Sequence, residues 1–121
     1  ANVLVGEAAE VDGNLVSVDA GDLRVWGLGE ATIGSSARAM FGGETVTILP
    51  SGSGVGSARN SWTGRIRAVR RLGRLLEVVI DVGHPVVAIV TPGAAEALDM
   101  ASGAEVVVSV KATAVRVVGG D

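Results

Sequence analysis

Apolar and polar residues alternate in short runs along most of the chain, as in Leu23-Arg24-Val25, Ala37-Arg38-Ala39, Val46-Thr47-Ile48 and Val115-Arg116-Val117. A period of two sends successive side chains to opposite faces of an extended backbone, so these runs predict half-buried strands. Strands are expected near residues 2–10, 14–20, 22–28, 35–41 and 44–49, and a second set near 61–71, 74–83, 85–91, 104–111 and 113–118. Asp12-Gly13, Ala20-Gly21 and Leu72-Gly73 supply hairpin turns. Between the two sets, Pro50-Ser51-Gly52-Ser53-Gly54-Val55-Gly56 has the composition of a linker.

The two sets repeat one pattern. Asn2-x-x-x-Gly6 aligns with Asn60-x-x-x-Gly64 at an offset of 58, and Gly34–Leu49 aligns with Gly103–Val118 at an offset of 69. The difference of eleven residues falls on Thr91–Met100, the one segment with helix signals. Thr91 suits an N-cap, Pro92 the first helical position, Ala94–Leu98 the body and Ser102-Gly103 the end. The expected architecture is all-β: a first barrel over 1–50, a linker at 51–56, and a second barrel over 57–121 that carries one short helix. A single irregular β-sandwich is the alternative.

Composition sharpens this picture. Apolar residues make up 48% of 121 positions but aromatics only 2%, so the core must be aliphatic, and 18 glycines favour tight turns over helices. So few aromatics leave no stacking platform for single-stranded nucleic acid. Cysteine is absent, which excludes disulfides and thiolate chemistry and fits a reducing cytoplasm. No signal peptide or membrane-length apolar run is present. The chain opens at Ala1 directly with a strand pattern, which reads as a piece of a longer protein.

Charge is divided unevenly. The net charge is −3, with seven acidic and two basic residues in 1–56 against six acidic and eight basic in 57–121. A basic second half suits a small anion better than a polyanion, which needs a broad basic footprint; ordinary surface scatter is the competing reading. Within that half, Ser57-Ala58-Arg59-Asn60 offers a hydroxyl, a guanidinium and an amide, and Lys111 is the only lysine of the chain. Arg presents a rigid fork and Lys a compact point charge, and both suit oxyanions. The start of the helix adds unpaired N–H groups near Gly93 and Ala94. A tetrahedral dianion has only acceptor atoms, so Ser57, Arg59, Thr91, the backbone at 93–95 and Lys111 form a suitable donor set. Spacing alone does not bring them together, and an arginine at a strand end is commonly solvated.

Other motifs carry less. Gly52-Ser53-Gly54-Val55-Gly56-Ser57 lacks the Gly-Lys-Ser/Thr ending of a phosphate loop. His84, the sole histidine, precedes Pro85 in a turn and has no companion for metal binding or catalysis. Arg65, Arg67, Arg70, Arg71 and Arg74 cluster on a predicted hairpin, read first as a solvated face and second as a funnel for anions. Trp26 and Trp62 read as core or interface anchors.

Ser57-Ala58-Arg59-Asn60-x-Trp62-x-Gly64, Ala88-Ile89-Val90-Thr91, Ala97-Leu98, Gly103-x-x-Val106 and Val110-Lys111-Ala112 together resemble the molbindin (Mop/TOBE) domain. The resemblance implies an OB-like five-stranded barrel that binds molybdate or tungstate between barrels, with no metal site and no organic cofactor. By matching position it implies Ser57, Arg59 and Asn60, then Thr91, Gly93 and Ala94, and finally Lys111 and Ala112 as the oxyanion-binding residues. Related domains often carry serine where this chain has Ala94. The first half keeps Asn2 and Gly6 but has Ala1 in place of Arg59, Gly42 in place of Lys111, and no helix. It resembles the accessory barrel that follows the nucleotide-binding domain of importer ABC ATPases. The expectation is therefore a non-enzymatic regulatory module of a molybdate/tungstate importer ATPase. It would sense cytoplasmic oxyanion, form a homodimer, and stand at the membrane only through the ATPase domain and the transporter's membrane subunits. The alternatives are a structural dimerisation domain without a ligand and a free-standing molybdate storage protein.

Overall fold

In the computed structural model, which describes residues 1–53 and 59–120, the alternating runs form ten strands and one short helix. The first repeat contributes β1 (Asn2–Asp12), β2 (Leu15–Ala20), β3 (Leu23–Glu30), β4 (Ser36–Phe41) and β5 (Thr47–Pro50). The second contributes β6 (Asn60–Leu72), β7 (Leu75–Asp81), β8 (Pro85–Val90), α1 (Pro92–Ala97), β9 (Glu105–Val110) and β10 (Arg116–Gly119). The expected strands near 44–49 and 113–118 each begin instead with a 3₁₀ turn, Gly43–Thr45 and Ala112–Ala114, before the extended backbone resumes. Helix α1 is shorter than the pattern implied, because Asp99 takes a left-handed conformation (φ 50°) just past its end.

The chain folds as OB-like tandem barrels, but the repeats trade their last strands. One barrel closes in the order β1-β2-β3-β10-β4, and a second five-stranded sheet runs β5-β9-β6-β7-β8. Strand β10 pairs parallel to β3 (Val117 opposite Gly29) and antiparallel to β4 (Val117 opposite Ala39). Reciprocally, β5 pairs with β9, Ile48 opposite Val108. The expected division into 1–50 and 57–121 therefore does not coincide with the two sheets; of the expected linker, residues 54–56 lie outside the described residues.

Alternation fixes which faces are buried. On β4, Ala37, Ala39 and Phe41 point inward while Ser36, Arg38 and Met40 point away, and Val106, Val108 and Val110 do the same on β9. These join Leu4, Val16, Val18 and Val25 from one barrel and Ile66, Val78, Ile80 and Val86 from the other in one continuous core, aliphatic but for Phe41. Burying each Val, Leu, Ile or Phe side chain of this core contributes about 1.5–3 kcal/mol. Both long strands bend at matching places: β1 shifts register between Ala8 and Val11, and β6 between Ile66 and Ala68. A bulge bends a strand and strengthens its twist, which lets one strand serve two sides of a small barrel.

Asn2 and Asn60, the first residues of β1 and β6, tie each repeat to the other. The Asn60 Nδ2 donates to the carbonyl of Trp26 (2.8 Å), and its Oδ1 accepts from the Trp26 N–H (2.7 Å). Asn2 makes the same pair of bonds to Val87, at 2.9 and 2.7 Å. Each asparagine thus acts as a piece of sheet edge, satisfying a donor and an acceptor on a strand of the opposite barrel. Trp62 adds a bond from its Nε1 to the Arg24 carbonyl (3.2 Å).

Candidate functional site

Antiparallel pairing of β6 with β9 sets Asn60 opposite Val110, so Arg59 and Lys111 emerge side by side at one end of the sheet. Lys111 is exposed; its carbonyl accepts the Ala114 N–H (2.9 Å) at the start of the 3₁₀ turn, and among the described residues its ammonium meets no carboxylate. Ala112 follows it, half-buried, as the first residue of that turn. Arg59 lies over the Trp26 ring, 4.6 Å from its centroid, and its Nη2 donates to Oδ2 of Asp12 at the tip of the β1–β2 hairpin. Two cations at one exposed corner, one of them held against an aromatic face, can offer a fork and a point charge to an oxyanion.

Asn60 has a different job from the one predicted. Its amide is fully enclosed and engaged at both ends by the Trp26 backbone, so it is not presented to a ligand. The signal for this was in the repeat: Asn2 is kept in the half that lacks the arginine and the lysine. Ser57 lies outside the described residues.

Thr91, Gly93 and Ala94 stand elsewhere. Val90, which precedes them, pairs with Leu76, and Leu76 is opposite Arg71 near the far end of β6 from Arg59. Within one chain the helix start and the Arg59–Lys111 corner are thus at opposite ends of the sheet. Thr91 caps α1, its Oγ1 accepting the Ala94 N–H (3.1 Å), so that N–H is already engaged. The position of Gly93 is open, with nothing near a Cβ built there.

The arginine cluster on β6 and its hairpin is largely neutralised. Arg65 pairs with Glu105 (3.4 Å), Arg67 with Asp81 (3.1 Å) and Arg70 with Glu77 (2.8 Å). That matches the solvated-face reading more closely than an uncompensated funnel. An open groove lined by Glu30, Thr32, Ser35 and Gly119 lies at the other end of β10 from Lys111, and its carboxylate suits an anion poorly. Among the described residues no group of three or more His, Cys, Asp or Glu is placed to hold a metal ion. No helix among them is long and apolar enough to cross a membrane.

Two aspartates titrate low. The Gly83 N–H (2.9 Å), and then Arg67, hold the Asp81 carboxyl below the ordinary value of 3.8. The Arg24 fork (2.7 and 2.9 Å) does the same for Asp19. A carboxyl with a lowered folded pKa stabilises the fold above its unfolded value, and this is lost as pH falls through the folded one. Urea midpoints are therefore expected to drop as pH falls below 3.8, and to drop less steeply in Asp81→Asn. An unchanged slope would show that the Gly83 and Arg67 contacts do not persist in solution.

The TOBE domain family model matches residues 56–117, just over half of the chain. The fold is similar to a crystal structure of the cytoplasmic molybdate-binding protein ModG with molybdate bound, with a TM-score of 0.82 over 96% of this chain and 94% of that one, at 21% identity. A search of curated proteins gave no match. On the TOBE match across its second repeat, the chain belongs to the TOBE domain family.

Proposed function

We propose that the chain binds a tetrahedral oxyanion, molybdate or tungstate, at the corner formed by Arg59 and Lys111. The observation that carries this reading is their adjacency at the joined ends of β6 and β9 in a chain with one lysine. Likeness of fold to a molybdate-bound protein over nearly the whole of both chains supports it. The role is binding rather than catalysis. Thr91, Gly93 and Ala94, at the far end of the sheet, join the corner only from a second copy, so the complete site lies between chains of a homo-oligomer. A ligand bridging two chains stabilises the assembled state by linkage. In a cytoplasmic importer ATPase that coupling would report oxyanion supply to the transporter; the near-complete overlap with ModG favours a second reading, a free-standing binding protein.

Calorimetry with sodium molybdate tests the site. Arg59→Ala and Lys111→Ala each remove a charge-assisted contact, worth roughly 1.5–3 kcal/mol or about 10- to 150-fold in affinity. Wild-type affinity in both variants would dismiss the corner as the site. Melting temperatures unmoved by millimolar molybdate, tungstate, sulfate and phosphate would favour a structural domain without a ligand.

A further inference from the structure

We propose that Asp12 is a built-in competitor for the anion at Arg59, supplied by the opposite repeat. The inference rests on the reading that Arg59 binds oxyanion, and it adds the residue that sets how tightly. Asp12 ends β1 at the turn into Gly13, and its carboxylate holds the Arg59 Nη2, the kind of donor an incoming oxyanion needs. Arg59 does not need Asp12 to hold it in place. Its guanidinium lies over the Trp26 ring, and the next residue, Asn60, is locked to the Trp26 backbone by two bonds. The aspartate side chain, by contrast, is 58% exposed on a hairpin tip, where it is free to swing away. A dianion reaching the corner meets a like charge on the very group it must use, so binding has to displace the carboxylate or bear its repulsion.

The two roles open to Asp12 predict opposite signs. As a competitor its removal tightens binding; as a positioning group its removal loosens binding. Asp12→Asn is the suitable change, because Asn-Gly keeps the turn chemistry that Asp-Gly provides and Gly13 already has a positive φ of 62°. Calorimetry with sodium molybdate on wild type, Asp12→Asn, Asp12→Glu, Arg59→Ala and the Asp12→Asn/Arg59→Ala double variant decides the matter. The expected result is binding roughly three- to tenfold tighter in Asp12→Asn, close to wild type in Asp12→Glu, and no gain from Asp12→Asn once Arg59 is gone. If Arg59→Ala weakens binding while Asp12→Asn leaves it unchanged or weaker, the competitor is overturned and the site stands. If Arg59→Ala binds as wild type, both fall together.

Discussion

Asn60→Ala is expected to lower the unfolding free energy by about 3 kcal/mol, a loss readable in urea midpoints or as a fall of roughly 10 °C in melting temperature. The side chain is fully buried and satisfies both polar groups of Trp26 on β3. Alanine removes the partner of each and leaves a void where the amide was, so an N–H and a C=O lose their bonds away from bulk water. Asn60→Asp should cost at least as much, because it keeps an acceptor for the Trp26 N–H but buries a carboxylate oxygen against the Trp26 carbonyl with no donor between them. Asn2→Ala should act in the same direction through Val87 but less strongly, since Asn2 is slightly more open. A cost below about 0.5 kcal/mol for Asn60→Ala would mean that the bonds to Trp26 do not hold the repeats together.

Gly6→Ala is expected to be at least as damaging, to the point of little folded protein at 37 °C. A Cβ at Gly6 would lie 1.9 Å from the Asp19 carbonyl oxygen and 2.6 Å from its carbon, both backbone atoms of the neighbouring strand. No rotamer change relieves such a clash, so β1 and β2 would have to separate where β1 bends over its partner. The matching Gly64→Ala meets the Asp81 carbonyl oxygen at 2.6 Å and the ends of Val82 and Ile80 side chains at 2.7 and 2.9 Å, and a milder loss is expected there. Thermal unfolding followed by circular dichroism ranks the two; equal stability of Gly6→Ala and wild type would refute the close approach of β1 to β2.

These two positions show why some features were legible in the sequence. Asn2, Gly6, Asn60 and Gly64 stand at the same spacing in both repeats, so the duplication was readable, and so were the ten extended runs from their alternation. The helix start was readable too, because Thr91 and Pro92 act through contacts within four residues. What the pattern could not convey is which strand neighbours which. Strand β10 has the same alternating residues whether it closes its own barrel or the other, and only the completed sheet selects β3 and β4 as partners. The role of Asn60 was hidden for the same reason: its partner, Trp26, is 34 residues away and is used through its backbone, which no side-chain motif records. Arg59 and Lys111 fall at facing positions because β6 and β9 are adjacent strands, a juxtaposition that follows from the sheet and not from their 52-residue separation in sequence. Within one chain the helix start lies at the far end of the sheet from that corner, and spacing says nothing about which end of a sheet a loop occupies.

The crossed strands also constrain the order in which the molecule can form. Residues 1–41 contain four of the five strands of the closed barrel, yet the fifth is β10, Arg116–Gly119, made only after the whole of the second sheet. During synthesis the first-made barrel must wait with β3 and β4 unjoined until β10 has been added. Its closure spans the whole segment between β4 and β10, residues 42–115, and the contacts that reward it come late, a topology that favours slow, all-or-none folding over folding domain by domain.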